Sequence, residues 1–242
     1  MSLILGISAG HGAINPDLGW KDPGACNGKY TEHDVAMGIV KEVCHLLDGK
    51  IKYHIPKSNW DTSVEYRECV SKGCNYYINI HLNSAENKEA SYVEGYYNNE
   101  KSLIWARELV VACTKFFPSH GVHHDYMVYG QKNATIPYAF LELGFISNPR
   151  DLNILLNKKR EVAIAIVEVI ERFSGVKVSK TIKLAMQGAE KDYAIVDGKK
   201  VDMPLHLVQI KGRNMVDLRF IVEQLGGTIE WDPISKTITV IK

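Results

Sequence analysis

The sequence of 242 residues predicts an α/β protein, a mostly parallel twisted sheet flanked by helices, followed by a small C-terminal α/β module. Apolar strand-like runs alternate with longer amphipathic runs up to Phe173, which is the pattern of βαβ units. Residues able to do chemistry stand just after several of those runs, in SAGHG (Ser8–Gly12), IHLNS (Ile80–Ser84) and LELGFISNP (Leu141–Pro149). Loops leaving the carboxyl ends of parallel strands converge on one crevice, so these distant segments can share one site. Beyond Phe173 the texture changes to short β-like segments separated by turn signals.

Leu3–Ser8 reads as a buried strand, Thr31–Leu47 as a helix, Lys52–Ile55 as a short strand and Ser63–Lys72 as a helix. In the strand Tyr76–Leu82, side chains at Tyr77, Asn79 and His81 share one face and Ile78, Ile80 and Leu82 the other. Ser91–Tyr97 alternates as a strand, Leu103–Phe117 is helical, Tyr138–Leu143 is a strand and Arg160–Phe173 a long amphipathic helix. The change near Ser174–Lys180 divides the chain into residues 1–175 and 181–242. In the second part, Asp197-Gly198 signals a hairpin. Asp217–Leu225 reads as a helix closed by Gly226-Gly227, and Asp232-Pro233 turns between two further strands.

The formal charge of +1 provides no global basic field for nucleic acid. No apolar run approaches the roughly 20 residues of a membrane span. Five cysteines follow neither a paired framework nor a metal-knuckle spacing, and are expected to be reduced thiols. The N-terminal apolar stretch lacks the basic start of a secretory leader, so synthesis in the cytoplasm without a signal peptide is expected.

On a helix turning about 100° per residue, Glu32 falls in the middle of the stripe formed by Val35, Ala36, Ile39, Val40 and Val43. A carboxylate aimed at the core needs a partner for its charge, and a metal supplies one. The alternative is a frayed first turn that lets Glu32 reach water. His11 lies between Gly10 and Gly12, which allow the backbone close to whatever the imidazole binds. His81 ends its strand and is either a ligand or a hydrogen-bonded core residue. His11, Glu32 and His81 supply the three protein ligands of a catalytic zinc site. Glu142, at the end of another strand, is placed to take a proton from water and pass it to a leaving amine; a salt bridge to Arg67 or Arg150 is its structural alternative. His120, His123 and His124 surround Gly121 in what reads as a solvated loop, with contacts at the rim of a substrate site as the alternative.

These segments resemble, over residues 3–172, the zinc-dependent N-acetylmuramoyl-L-alanine amidases of the type-3 amidase family. The matching pieces are GHG (Gly10–Gly12), DPGA (Asp22–Ala25), Glu32, Arg67, IHLNS, YVEGYY (Tyr92–Tyr97), IPYAFLELGFISNPRD (Ile136–Asp151) and AIAIVEVI (Ala163–Ile170). The resemblance implies zinc held by His11, Glu32 and His81, a catalytic Glu142, substrate contacts from Asn83 and Arg67, and cleavage of the amide between N-acetylmuramic acid and L-alanine. Ser8-Ala9 departs from the Asp-Pro or Asp-Ala common in that family before GHG, and Ala13–Lys21 is a longer insert. The tail, through Gly212–Asp232 and Lys236–Ile241, is similar to the small domain at the N-terminus of some copper amine oxidases, a likeness that implies no copper chemistry.

The combined expectation is a peptidoglycan hydrolase of phage or prophage endolysin type, acting on the wall after release. Nucleic acid and membrane are not expected partners. The C-terminal module is expected to anchor the enzyme to wall polymer or to pair subunits into a homodimer. A zinc peptidase acting on the stem peptide and an inactive wall-binding protein are the rival readings.

Overall fold

The computed structural model describes residues 2–14, 19–59, 62–124 and 134–178, and then the strands within 182–185, 193–196, 199–202, 208–210, 213–215, 228–232 and 237–241. The chain forms two compact units, Met1–Val178 and Ser179–Lys242.

In the first unit the elements run β1 (Ile4–Ala9), β2 (Cys26–Asn27), β3 (Tyr30–Thr31), α1 (Glu32–Leu47), β4 (Lys52–His54), α2 (Thr62–Ser71) and β5 (Tyr76–Asn83). They continue with β6 (Val93–Tyr97), α3 (Glu100–Cys113), β7 (Ser119–His124), β8 (Tyr138–Phe145), α4 (Pro149–Asn157) and α5 (Lys159–Ser174). Six strands form a mixed sheet in the order β4-β1-β5-β8-β6-β7. Its pairings are parallel except β6 against β8, so the sheet is mostly parallel. Of its four interior strands, β1, β5 and β8 are buried almost throughout, which is why their sequences read as apolar runs.

Strand alternation divides the chemistry. Leu5, Ile7, Ile78, Ile80, Leu141 and Leu143 share the main core with α1, α3 and α5. On the other face, Tyr66 and Cys69 of α2 cluster with Tyr77 and Tyr138, near the starts of β5 and β8. His81 and Glu142 point to this second face, farther along the same strands. α1 starts where Thr31 caps it, the hydroxyl accepting from Asp34 N–H at 3.1 Å, and this fixes Glu32 as the first helical residue. Trp105 of α3 is fully buried and donates from Nε1 to the Tyr77 carbonyl at 3.1 Å, tying that helix to the central strand.

Besides the two-residue strands β2 and β3, which the sequence did not announce, two elements of the first unit differ from the sequence expectation. Residues 119–124, read as a solvated loop, form the edge strand β7, parallel to β6. SHGVHH has no strand-like alternation, so pairing with β6 supplies what local propensity does not. The short helix α4 was also absent from that reading. Asn148 caps it, its Oδ1 accepting from the N–H groups of Arg150 and Asp151, with Pro149 at the first turn.

The second unit contains a three-stranded antiparallel sheet of β9 (Ile182–Ala185), β10 (Tyr193–Val196) and β11 (Lys199–Asp202). It also contains the antiparallel pairs β12 (Val208–Ile210) with β13 (Arg213–Met215), and β14 (Thr228–Asp232) with β15 (Thr237–Ile241). Val196 pairs with Lys199, as a hairpin over Asp197-Gly198 requires. The expected helix Asp217–Leu225 and its Gly226-Gly227 end lie outside the described residues.

Candidate metal centre and active site

Past β1 the chain binds back to the sheet, Gly10 N–H donating to the Ile80 carbonyl at 2.8 Å. A methyl group at Gly10 would fall 2.0 Å from Cε1 of His81, so only glycine lets the two segments approach. His11 then adopts φ 61°, an uncommon backbone for a residue with a side chain. The insert after it is closed by a hairpin-like pair of bonds, Gly12 N–H to Asp22 carbonyl and Asp22 N–H to Ala13 carbonyl, both 2.8 Å. That closure returns Asp22 to His11.

Glu32 is the hub. Its Oε1 accepts from Leu82 N–H at 3.1 Å and lies 2.9 Å from His81 Nδ1. Its Oε2 accepts from Ala25 N–H at 3.0 Å and lies 3.2 Å from His11 Nε2. The other nitrogen of His11, Nδ1, meets Asp22 Oδ2 at 2.7 Å, and Asp22 Oδ1 accepts from Gly24 N–H at 3.0 Å. A Cβ on Gly24 would crowd both Glu32 Oε2 and the His11 ring, each at 2.6 Å. One ligand atom from each of His11, Glu32 and His81 falls within 4.8 Å of the others.

Electrostatics follow from this geometry. Burial works against charge on His11, but Glu32 and Asp22 outweigh it and lift the imidazole to about 9. Burial likewise opposes ionisation of Glu32, yet bonds to His11 and His81 hold its carboxyl far below the ordinary range. His81 is pushed down chiefly by burial. Its Nε2 is buried with no hydrogen-bond partner. Two imidazoles and one carboxylate, one imidazole backed by a second carboxylate, form a donor set that fits zinc. Such backing predicts that Asp22→Ala weakens zinc affinity by about 10–100-fold, measured by competition with a chromogenic chelator.

Glu142 pairs in register with His81 on one side and with Glu94 on the other. Its Oε2 is buried without a hydrogen-bond partner. Burial, then the nearby charges of Glu32 and Glu94, push its carboxyl up to about 8, with His11 partly offsetting them. Arg150 instead engages Asp151, Ser91 and the Phe116 carbonyl. The structure therefore brings His11, Glu32, His81 and Glu142 to one sheet edge. Asn83 sits close by, donating to Glu94 Oε1 at 3.2 Å. Arg67 is exposed on α2 and donates to Ser63 Oγ at 2.8 Å; it does not line the pocket beside His11 and His81. Asp22 and Glu65 do line it. Glu65 accepts from Asn59 N–H at 2.8 Å and from the Tyr77 hydroxyl at 3.3 Å. Sequence reasoning missed both roles, although DPGA contained the signal for Asp22.

A mostly parallel sheet that delivers two histidines and a carboxylate to one edge, with a buried carboxylate alongside, has the layout of a metallohydrolase. Residues 5–172 match the N-acetylmuramoyl-L-alanine amidase family, and the chain belongs to that family. It is 27% identical over 180 residues to the germination-specific N-acetylmuramoyl-L-alanine amidase of Bacillus subtilis (strain 168), covering 63% of this chain and 73% of that protein. The fold is shared with the catalytic domain of an N-acetylmuramoyl-L-alanine amidase from Bacillus (Paenibacillus) polymyxa var. colistinus, at a TM-score of 0.62 and 21% identity, over 72% of this chain and 99% of that one. It is shared too with the AmiC2 amidase of Nostoc punctiforme, at a TM-score of 0.61 and 20% identity, over 71% of this chain and 96% of the other. Residues 140–241 match the copper amine oxidase N-terminal domain.

Proposed function

We propose that this protein cleaves the amide between N-acetylmuramic acid and the L-alanine of the stem peptide, using zinc held by His11, Glu32 and His81. The observation that carries the reading is the convergence of these ligand atoms within 4.8 Å beside the buried Glu142, in a chain of this family. Bound there, zinc supplies Lewis acidity to a water and to the scissile carbonyl.

The chain's own residues do the rest. Asp22 fixes the orientation of His11 through the 2.7 Å bond to Nδ1. Glu142 takes the proton of the attacking water and delivers it to the departing alanine nitrogen. Burial and neighbouring carboxylates raise its basicity, so it holds the proton until the amine leaves. Mass spectrometry of digested peptidoglycan tests the reading. New free α-amines on L-alanine are expected, lost on chelation and restored by zinc. Cleavage within the stem peptide would favour a peptidase, and full activity in a thoroughly metal-free sample would remove zinc from the mechanism.

For the second unit we propose attachment to wall polymer, supported by its separate compactness. A chain ending after Val178 keeps the whole first unit, including Val178, which is buried and accepts from Lys50 Nζ at 2.7 Å. The truncated chain should cleave soluble muropeptides at the full-length rate while sedimenting less with cell walls and lysing them more slowly, because attachment raises local concentration. Unchanged sedimentation and lysis would turn attention to subunit pairing, read from the solution masses of the two chains.

A further inference from the structure

A second group of donors lies across the sheet from the first. We propose that Glu94, His120 and His123 form a second divalent-metal site, of the class that takes zinc. The site does not depend on the reading of His11, Glu32 and His81, because it shares no residue with them.

The backbone is shaped for it. In a regular strand, residues three apart point to opposite faces. His120 and His123 nevertheless both reach Glu94, because β7 carries an irregularity where it meets β6. Ser119 pairs with Val93 and Gly121 with Glu94, leaving His120 as the extra residue, and Gly121 takes φ 89°. Bulges re-aim side chains in this way. Tyr92 stacks on the His120 ring at 4.4 Å between centroids, which limits its rotation.

The donors then converge on one carboxylate. Only 5% of the Glu94 side chain is exposed. Its Oε1 is occupied by Asn83 Nδ2 at 3.2 Å and by the Tyr96 hydroxyl at 3.0 Å. Oε2 faces His120 Nδ1 at 2.6 Å and His123 Nε2 at 3.4 Å, and one ligand atom from each residue lies within 4.8 Å of the others. A simple ion pair requires only one of these rings. His123 Nε2 is itself buried and makes no hydrogen bond, although its side chain is 42% exposed. An inward imidazole nitrogen that makes no hydrogen bond and stands 3.4 Å from a buried carboxylate already holding one imidazole is what a cation between the three would satisfy. Two imidazoles and a carboxylate suit zinc and related transition ions, not calcium or magnesium, which favour all-oxygen sets. The exposed edges of both rings leave room for a water as the fourth ligand.

Glu142 stands between the two clusters in the sheet, one strand from each. Two strand spacings amount to about 10 Å, beyond the 3.5–4 Å of a bridged metal pair. These are therefore two mononuclear sites.

Metal-free full-length protein is titrated with Zn²⁺ against a chromogenic chelator, and separately with Co²⁺ by visible absorption. Two equivalents are expected for the natural chain and one for the double variant His120→Ala, His123→Ala. One is also expected for His11→Ala, His81→Ala, and none when all four changes are combined. Glu94→Gln provides an independent route to one equivalent should the histidine changes disturb β7, and circular dichroism checks the fold of each variant. A single equivalent that survives loss of His120 and His123 and disappears with His11 and His81 overturns the proposal, making Glu94 an ion-paired carboxylate only. Two equivalents retained in the Glu94 and His120/His123 variants overturn it as well. A single equivalent lost only with His120 and His123 sustains this site and removes the first.

Discussion

Glu142→Gln is expected to leave zinc binding unchanged while turnover falls by roughly 10²-fold or more, the scale of general acid–base catalysis. The amide keeps the shape of the carboxyl group but cannot accept the proton. An active variant would remove Glu142 from the proton transfer, and loss of zinc would make it a support for the metal centre. The same substitution carries a stability signature in metal-free protein. The folded carboxyl is raised from about 4.5 to about 8, chiefly by burial, so the folded chain binds more protons than the unfolded one between those values. Stability from this group is full below the lower value and is lost as pH rises through the upper one. The melting temperature of the metal-free natural chain should therefore fall with rising pH across that window, relative to Glu142→Gln. Parallel pH profiles for the two proteins would contradict the assignment.

The four central residues were legible because each combined a local pattern with an anomaly. Glu32 interrupts the apolar stripe of α1, His81 and Glu142 are polar residues within or just after apolar strand-like runs, and His11 stands between glycines. What stayed hidden depended on contacts between distant segments. Asp22 becomes the partner of His11 only after the insert closes through the Gly12 and Asp22 bonds. Glu94 sits in a strand whose pattern marks it as one more alternating polar residue, and its importance comes from three neighbours on other elements. β7 was unreadable for the same reason: the pairing with β6, including one irregular step, forms a strand where propensity does not. The start of α4 was written in Asn148-Pro149, but its nine residues are too few to stand out by periodicity alone.

Glu32→Ala should produce the other large effect, and its character should differ from that of Glu142→Gln. Glu32 accepts from two backbone donors, Leu82 N–H and Ala25 N–H, while facing two imidazoles. Truncation to Ala leaves both donors without their partner, at roughly 1–3 kcal/mol for the buried Leu82 N–H and less for the part-buried Ala25 N–H, so the melting temperature should drop even in metal-free protein. Zinc at His11 and His81 should weaken by more than the 10–100-fold typical of groups one step removed from a metal, and turnover should fall with it. Glu32→Gln separates the two contributions. Its single amide oxygen can satisfy one backbone donor, but its NH₂ group faces the other and brings no charge to the metal. This variant should thus be more stable than Glu32→Ala yet equally deficient in zinc. Recovery of both metal binding and activity in Glu32→Gln would show that Glu32 only ties α1 to β5, leaving His11 and His81 to hold the metal with a different third ligand.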